Sequence, residues 1–201
     1  MFQNALALHV RFLWGLLDPR DVPSNPLDKE LRIFDARFSV HKNLYDIPTG
    51  PPLVPLSLVK VGLSVSLASG RIAAQAQMIE EHILEYMQAC IARFGLTRWA
   101  PDLRQTPYSL YNAACRIIAL DTFKQAVVAH TYDHIGPNVA YVKDVPLLIK
   151  LYDHFVHYYL FNRYKKDSCN AGSVRVADEA NPIYKNRARV RDICRSAMHS
   201  F

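Results

Sequence analysis

Apolar residues dominate one stretch near the middle of the chain, from Tyr108 to Gly136. Between Ala113 and Leu120 the only polar side chain is Arg116. A helix that is apolar almost all round belongs in the interior of a bundle. The pattern therefore predicts a central helix that the remaining elements cover.

Other segments repeat apolar positions every three or four residues, which is the period of an amphipathic helix. Such stripes predict helices over residues 2–16 and from Asp144 to about Lys166, and a shorter one from Asn25–Pro26 to about Phe38. Asparagine or aspartate before a proline is a helix start signal. These elements together favour an all-α, irregular helical bundle of about six helices with Pro-rich loops and a basic C-terminal helix.

The longest stripe predicts a helix over residues 57–94 with a break at Ser69 and Gly70. Gly95 follows as a natural terminator. The apolar positions of its second part form one continuous series: Ile72, Ala76, Ile79, Ile83, Met87, Cys90 and Phe94.

Two domain-level features interrupt the helical pattern. The run 46–55, DIPTGPPLVP, holds four prolines and one glycine, and predicts an extended internal loop within a bundle domain 1–166. Residues 167–180 have loop composition, and Asn181–Pro182 then restart a helix in a basic segment 167–201. The helical pattern runs to Phe201 without a terminating residue, so a fragment of a longer protein is one interpretation.

Positive charge is concentrated at the C-terminus. Residues 1–162 contain 15 Lys and Arg against 14 Asp and Glu, whereas residues 163–201 contain 9 against 4. Such an asymmetry indicates an acidic partner, nucleic acid or an acidic protein, although a solvated basic tail has the same composition. The candidate contact residues are Arg163, Lys165, Lys166, Lys185, Arg187, Arg189, Arg191 and Arg195.

Two clusters have residue types that bind metals. His130 and His134 are four residues apart beside Asp133 in a predicted helix, but a HExxH glutamate and a third ligand are missing. Glu80, Glu81, His82 and Glu85 could form half of a di-metal site, but the second half is absent. A solvated helix face and a favourable helix C-terminus explain both clusters without a metal. No cofactor is predicted.

The aromatic cluster Tyr158, Tyr159, Phe161 and Tyr164 is more typical of a core than of a base-stacking platform. The cysteines, Cys90, Cys115, Cys169 and Cys194, lack zinc-site spacing, and Cys90 and Cys115 fall in apolar helical patterns. No uncharged run reaches the length of a membrane span, and the N-terminus does not resemble a secretion signal. An intracellular location, nucleus or cytoplasm, is expected.

Three stretches carry a resemblance: RFLWGLLDPRDVPSNPLDKELRIFDARFS, RWAPDLRQTPYSLYNAACRIIALDTFKQA and RYKKDSCNAGSVRVADEANPIYKNRARVR. Together they resemble uncharacterised hypothetical proteins of mushroom-forming (basidiomycete) fungi, over most of the chain. Those relatives continue beyond the point that matches Phe201. The family has no established activity, so the resemblance implies no site residue.

The sequence contains no glycine-rich phosphate loop, no GxSxG elbow and no zinc-ligand spacing, which lowers the expectation of an enzyme. The first hypothesis is a non-enzymatic helical interaction module whose basic C-terminal segment contacts nucleic acid or an acidic protein surface. The alternatives are a scaffold or oligomerisation domain that does not bind nucleic acid, and a metal-dependent enzyme that uses the His130/His134 pair.

Overall fold

The computed structural model describes residues 2–38, 44, 50–61 and 70–180. Within these residues the chain is helical and has no β-strand, apart from one isolated bridge between Lys60 and Arg98. The prediction of an all-α bundle is confirmed. The α-helices are α1 (Phe2–Trp14), α2 (Asp28–Phe38), α3 (Arg71–Ala76), α4 (Glu81–Arg93), α5 (Leu110–Val128), α6 (Val145–Asp153) and α7 (Phe161–Cys169).

Helix α5 is the centre of the bundle, as the sequence predicts. It packs against α1, α2, α4 and α6. Its side chains Ala114, Cys115, Ala119, Phe123 and Ala126 have no exposed surface. Ser109 caps its start by accepting a hydrogen bond from the backbone N–H of Asn112.

Three of these helices, α1, α4 and α5, end in the same hydrogen-bond pattern, the Schellman motif. In α1 the N–H of Leu16 donates to Arg11 O, and in α4 the N–H of Leu96 donates to Ile91 O. The residue in the left-handed conformation is Gly15 in α1 and Gly95 in α4, with φ of 76° and 68°. Glycine adopts this conformation without steric cost, and the role predicted for Gly95 is confirmed.

The predicted start of α2 at Asn25–Pro26 is wrong by about two residues. The Asn25 side chain instead accepts a hydrogen bond from Leu103 N at 2.8 Å, so it is occupied by the loop before α5. Helix α2 begins at Asp28, and Glu30 caps it by accepting a bond from Leu27 N at 2.7 Å.

The predicted helix 57–94 is broken more often than expected. Leu56–Leu58 is a short 3-10 helix, Val59 is extended, and α3 and α4 are separated by residues 77–80. Glu80 has an extended backbone, with φ −69° and ψ 152°, which starts a new helix direction. The apolar stripe stays inside the protein, because Ala76 and Ile83 are buried on either side of the break.

The last described helices are longer than predicted. Asp144 caps α6 through a bond from Leu147 N, as expected, and α6 continues through a π-helix, His154–Leu160, into α7. Residues 167–180 are not a loop: α7 reaches Cys169, and residues 173–180 are helical again. Asp167 holds the intervening turn by accepting from Gly172 N, and Val174 is buried.

Candidate functional site

Arg163, the first of the predicted basic contact residues, points into the protein. One of its terminal nitrogens donates to Pro19 O at 3.0 Å and to Asp178 at 2.9 Å, and only 12% of the side chain is exposed. Its guanidinium therefore joins α7, the loop after α1 and the helical residues 173–180. We assign it to holding these three segments together.

A second pair of charges strengthens the same junction. Arg20 donates to Glu179 at 3.2 Å, and Arg175 donates to the same carboxylate oxygen at 3.3 Å. Arg20 donates three hydrogen bonds to the Asp18 carboxylate, two from its side chain and one from its backbone N–H. These bonds fix the arginine in place and hold the pKa of the Asp18 carboxyl below its usual range. Arg163, Arg175, Asp178 and Glu179 are therefore engaged with each other or with this loop.

Lys165 and Lys166 are different, because both are exposed and have no ion-pair partner among the described residues. They lie on α7, directly after Tyr164, the last residue of the aromatic cluster. The remaining predicted contacts, Lys185, Arg187, Arg189, Arg191 and Arg195, lie outside the described residues, and their role stays a prediction. Five basic residues against Asp192 give residues 181–201 a charge of +4.

Two rings of the aromatic cluster face solvent, contrary to the expectation of a core. Tyr158 is 62% exposed and Tyr159 is 41% exposed, whereas Phe161 and Tyr164 pack partly against the core. The Tyr158 ring stacks on His154, with centroids 5.3 Å apart, and Tyr159 stacks on Phe155 at 5.5 Å. Both rings belong to the π-helix His154–Leu160, whose turn differs from the α-helical period on which the prediction of a core relied.

Polar groups gather under the π-helix on its inner side. Nη1 of Arg116, in α5, lies 3.5 Å from Oδ1 of Asp153. Burial raises the pKa of the Asp153 carboxyl, although the positive charge of Arg116 acts in the opposite direction. Burial, with a contribution from Arg116, lowers the pKa of His157 to about 4. His157 Nε2 and the Tyr152 hydroxyl are buried and have no hydrogen-bond partner among the described residues. The polar groups under the π-helix thus include a neutral imidazole and a phenol. No nucleophile and base among them are in hydrogen-bond contact.

The predicted histidine pair does not share a helix face. Helix α5 ends at Val128, and His130 has a positive φ of 63°, so it ends the helix in a third Schellman motif. Its Nδ1 lies 3.1 Å from Asp133 with both side chains exposed. His82 similarly lies 3.1 Å from Glu80 on the surface. Across the described ranges no three His, Cys, Asp or Glu side chains are grouped to hold a metal ion.

His9 is a buried polar residue that the sequence analysis missed. It has no exposed surface and bonds to Tyr132 and Thr122, two residues of the central region. Burial lowers the pKa of its imidazole to about 3. The only available signal was a histidine inside the otherwise apolar run of α1, and that position is equally typical of a helix surface.

An open cleft of about 100 Å³ lies between α2 and the loop after α4. Arg98 bonds to both carboxylate oxygens of Glu30 at its edge, and Arg37 donates to Gly95 O at 2.8 Å. Ile33 and Tyr111 supply apolar walls. Glu30 and Arg98 are thus paired with each other, and Arg37 is bound to a backbone carbonyl.

The two core cysteines behave as predicted. Cys90 and Cys115 are free and buried, and burial raises the pKa of the Cys90 thiol to about 11 and that of Cys115 further. Neither thiol would ionise near neutral pH, so neither is suited to nucleophilic chemistry.

Comparison of the chain with protein-family models, with curated proteins and with solved structures finds no match. The described part of the chain contains no helix long and apolar enough to cross a membrane. The function of the basic C-terminal part must therefore be inferred from its own geometry and charge.

Proposed function

We propose that this protein is a non-enzymatic helical module that binds nucleic acid through its basic C-terminal part. The observation that supports it most is the position of Lys165 and Lys166. Both ammonium groups are exposed and unpaired among the described residues, and they lie on α7, which precedes the helical residues 173–180 and, in sequence, the strongly basic residues 181–201.

The distribution of ion pairs favours this assignment. Arg163, Arg20 and Arg175 are held in the junction with Asp178 and Glu179. Asp178 and Glu179, two of the acidic residues of the C-terminal part, are thereby used within the fold. Lys165 and Lys166 remain without an ion-pair partner among the described residues and can contact phosphates, which bind mainly through charge and the release of counterions.

The test is the affinity for a 20-base-pair DNA duplex and for a 20-nucleotide RNA at low and at moderate salt. The full chain is compared with a chain that ends at Ala180, because this boundary keeps Arg163 paired with Asp178. We expect salt-dependent binding by the full chain and roughly tenfold or greater weakening in the shorter chain. A variant with Lys143→Gln and Lys150→Gln, two exposed lysines just before α6 and in its last turn, is the matched control and should bind as the full chain does.

Equal affinity of the full and the shortened chain would contradict the assignment to residues 181–201. Binding that is absent, or that does not respond to salt, would contradict nucleic-acid binding altogether. An acidic protein surface would then be the partner to test.

A second candidate is an oligomerisation domain, favoured by an apolar surface next to the cleft. Leu53, Leu56 and Leu58 are 47%, 44% and 53% exposed within six residues of each other. Exposed apolar side chains in one patch are typical of protein interfaces, and a second copy of the chain is the partner we propose. Sedimentation velocity over a concentration series tests it: dimers should be lost in the Leu56→Asp, Leu58→Asp variant, and a wild-type monomer at every concentration would contradict it.

A further inference from the structure

We propose that one exposed face of the helix from the π-segment into α7 binds single-stranded nucleic acid by stacking bases on Tyr158. The face consists of His154, Tyr158, Asn162 and Lys165, which we call the 154–165 face. This inference rests on the proposed function and adds the form of nucleic acid that is recognised.

All four side chains of the 154–165 face are exposed. Asn162 and Lys165 are three residues apart on α7 and therefore lie on the same side of that helix. Tyr158 lies four residues before Asn162, in the preceding π-helix. His154 joins them through its stacking contact with Tyr158, at 5.3 Å and 30° between the ring planes. The face therefore carries two aromatic rings at one end and an amide and an ammonium group at the other.

The Tyr158 ring is supported on one side and open on the other. His154 lies against one side, and 62% of the tyrosine remains accessible. An exposed ring held in place by a neighbour loses little conformational freedom when a second flat group stacks on it. A nucleobase is such a group, and stacking on an aromatic side chain is the usual way in which unpaired bases bind without sequence preference.

Charge on the same helix fits the phosphates of that strand. Lys165 lies seven residues beyond Tyr158, about 10 Å along the helix axis, and Lys166 is exposed beside it. A backbone that leaves the stacked base can thus reach an ammonium group within a few nucleotides. A duplex cannot use this face in the same way, because its bases are stacked on each other and are not free to stack on Tyr158.

The experiment compares three ligands of equal length by fluorescence anisotropy: a 20-nucleotide oligo(dT), a fully abasic 20-mer, and a 20-base-pair duplex. The proteins are the full chain, Tyr158→Ala, Tyr158→Phe, and Tyr108→Ala as a matched control. Tyr108 is 80% exposed and precedes α5, outside the 154–165 face.

We expect Tyr158→Ala to weaken oligo(dT) binding roughly tenfold, while Tyr158→Phe and Tyr108→Ala stay within about twofold of the full chain. The abasic strand and the duplex should bind Tyr158→Ala and the full chain equally, because neither offers a free base. The full chain should also prefer oligo(dT) to the abasic strand, a comparison that requires no variant.

Two results would overturn the inference alone: equal affinity of the full chain for oligo(dT) and the abasic strand, or no effect of Tyr158→Ala. In either case, salt-dependent binding of any of the three ligands would still support the proposed function. Absence of binding to all three would contradict both.

Discussion

The Tyr132 hydroxyl lies 2.7 Å from Nδ1 of His9, and both residues are completely buried. On the other side of the ring, Nε2 lies 2.8 Å from the Thr122 hydroxyl, which donates its own proton to Ile118 O at 2.7 Å. Thr122 therefore accepts from Nε2–H, and Nδ1 accepts from Tyr132. This hydrogen-bond pattern assigns a neutral imidazole whose two nitrogens are both satisfied.

Acidification should destabilise the protein through this histidine and through His157. Their folded-state pKa values, about 3 and about 4, are below the ordinary value of 6.5. Between these values the unfolded chain binds more protons than the folded chain. The free energy of unfolding should fall as the pH is lowered from about 7 toward 4, by up to about 1.4 kcal/mol per pH unit for each histidine.

Urea unfolding at several pH values measures this slope. His9→Gln should lower the stability at neutral pH and also reduce the slope, because one buried titrating group is lost. His134→Gln, which removes an exposed histidine, is the control and should keep the wild-type slope. An unfolding free energy that is flat between pH 6.5 and 4.5 would be inconsistent with a buried neutral His9.

Asn112 should be one of the most sensitive polar residues in the fold. Its amide nitrogen donates to Asp102 O and Thr106 O at 3.0 and 2.8 Å, and its oxygen accepts from Asp102 N at 2.9 Å. Asn112→Ala leaves these buried backbone groups unpaired and should reduce the free energy of unfolding by about 3 kcal/mol.

Asn112→Asp should cost at least as much, because a carboxylate would face two carbonyl oxygens. Chemical denaturation measures both variants, with Asn4→Ala as an exposed control within about 0.5 kcal/mol of wild type. Equal stability of Asn112→Ala and wild type would show that the loop 102–106 does not depend on this amide.

His130→Gly should stabilise the protein. His130 occupies the left-handed position of the motif that ends α5: His130 N donates to Val127 O, and Thr131 N donates to Ala126 O. Relief of the strain in a non-glycine residue exceeds the added entropy of a glycine in the unfolded chain, which leaves roughly 0.5–1 kcal/mol. Thermal and urea unfolding provide the measurement.

The reverse change at the equivalent position supplies the comparison. Gly95→Ala should be clearly destabilising, since Gly95 has φ of 68° and an added Cβ would meet the Arg37 guanidinium. If His130→Gly were destabilising by 1 kcal/mol or more, the His130–Asp133 contact would have to outweigh backbone strain.

Truncation should reveal that residues 173–180 belong to the folded domain. A chain ending at Lys166 loses the Asp178 partner of Arg163 and the buried Val174 side chain. Burial of a valine contributes about 2 kcal/mol. We therefore expect its melting temperature to lie roughly 4–8 °C below that of a chain ending at Ala180. Equal melting temperatures of the two chains would mean that the junction does not stabilise the fold.

The parts of this fold that the sequence predicts well are those governed by local signals. The apolar centre of α5, the Asp144 cap and the Gly95 terminator depend on neighbouring residues, and all three are confirmed. Asn25 shows the limit of such signals. Its side chain is suited to a helix start, but a backbone N–H that is distant in sequence, that of Leu103, takes it instead.

The candidate contact residues were harder to predict from the sequence, because contacts with residues distant in the chain decide where their side chains lie. Arg163 resembles its basic neighbours in composition, and only the approach of Asp178 and Pro19 assigns it to the interior. Tyr158 is exposed within a π-helix, and no local sequence pattern predicted a π-helix at this position. Charge asymmetry, by contrast, is a property of composition, and it still indicates the C-terminal part as the region to test.

The central claim is that the basic residues after Ala180 contact phosphates, and its most direct test is the slope of log affinity against log salt concentration. The full chain is compared with a variant in which Lys185, Arg187, Arg189, Arg191 and Arg195 are all replaced by glutamine. Each lost phosphate contact on a single strand lowers the magnitude of the slope by about 0.7. We predict a steep slope for the full chain and a decrease of about 3 to 4 in the variant; identical slopes would contradict the account.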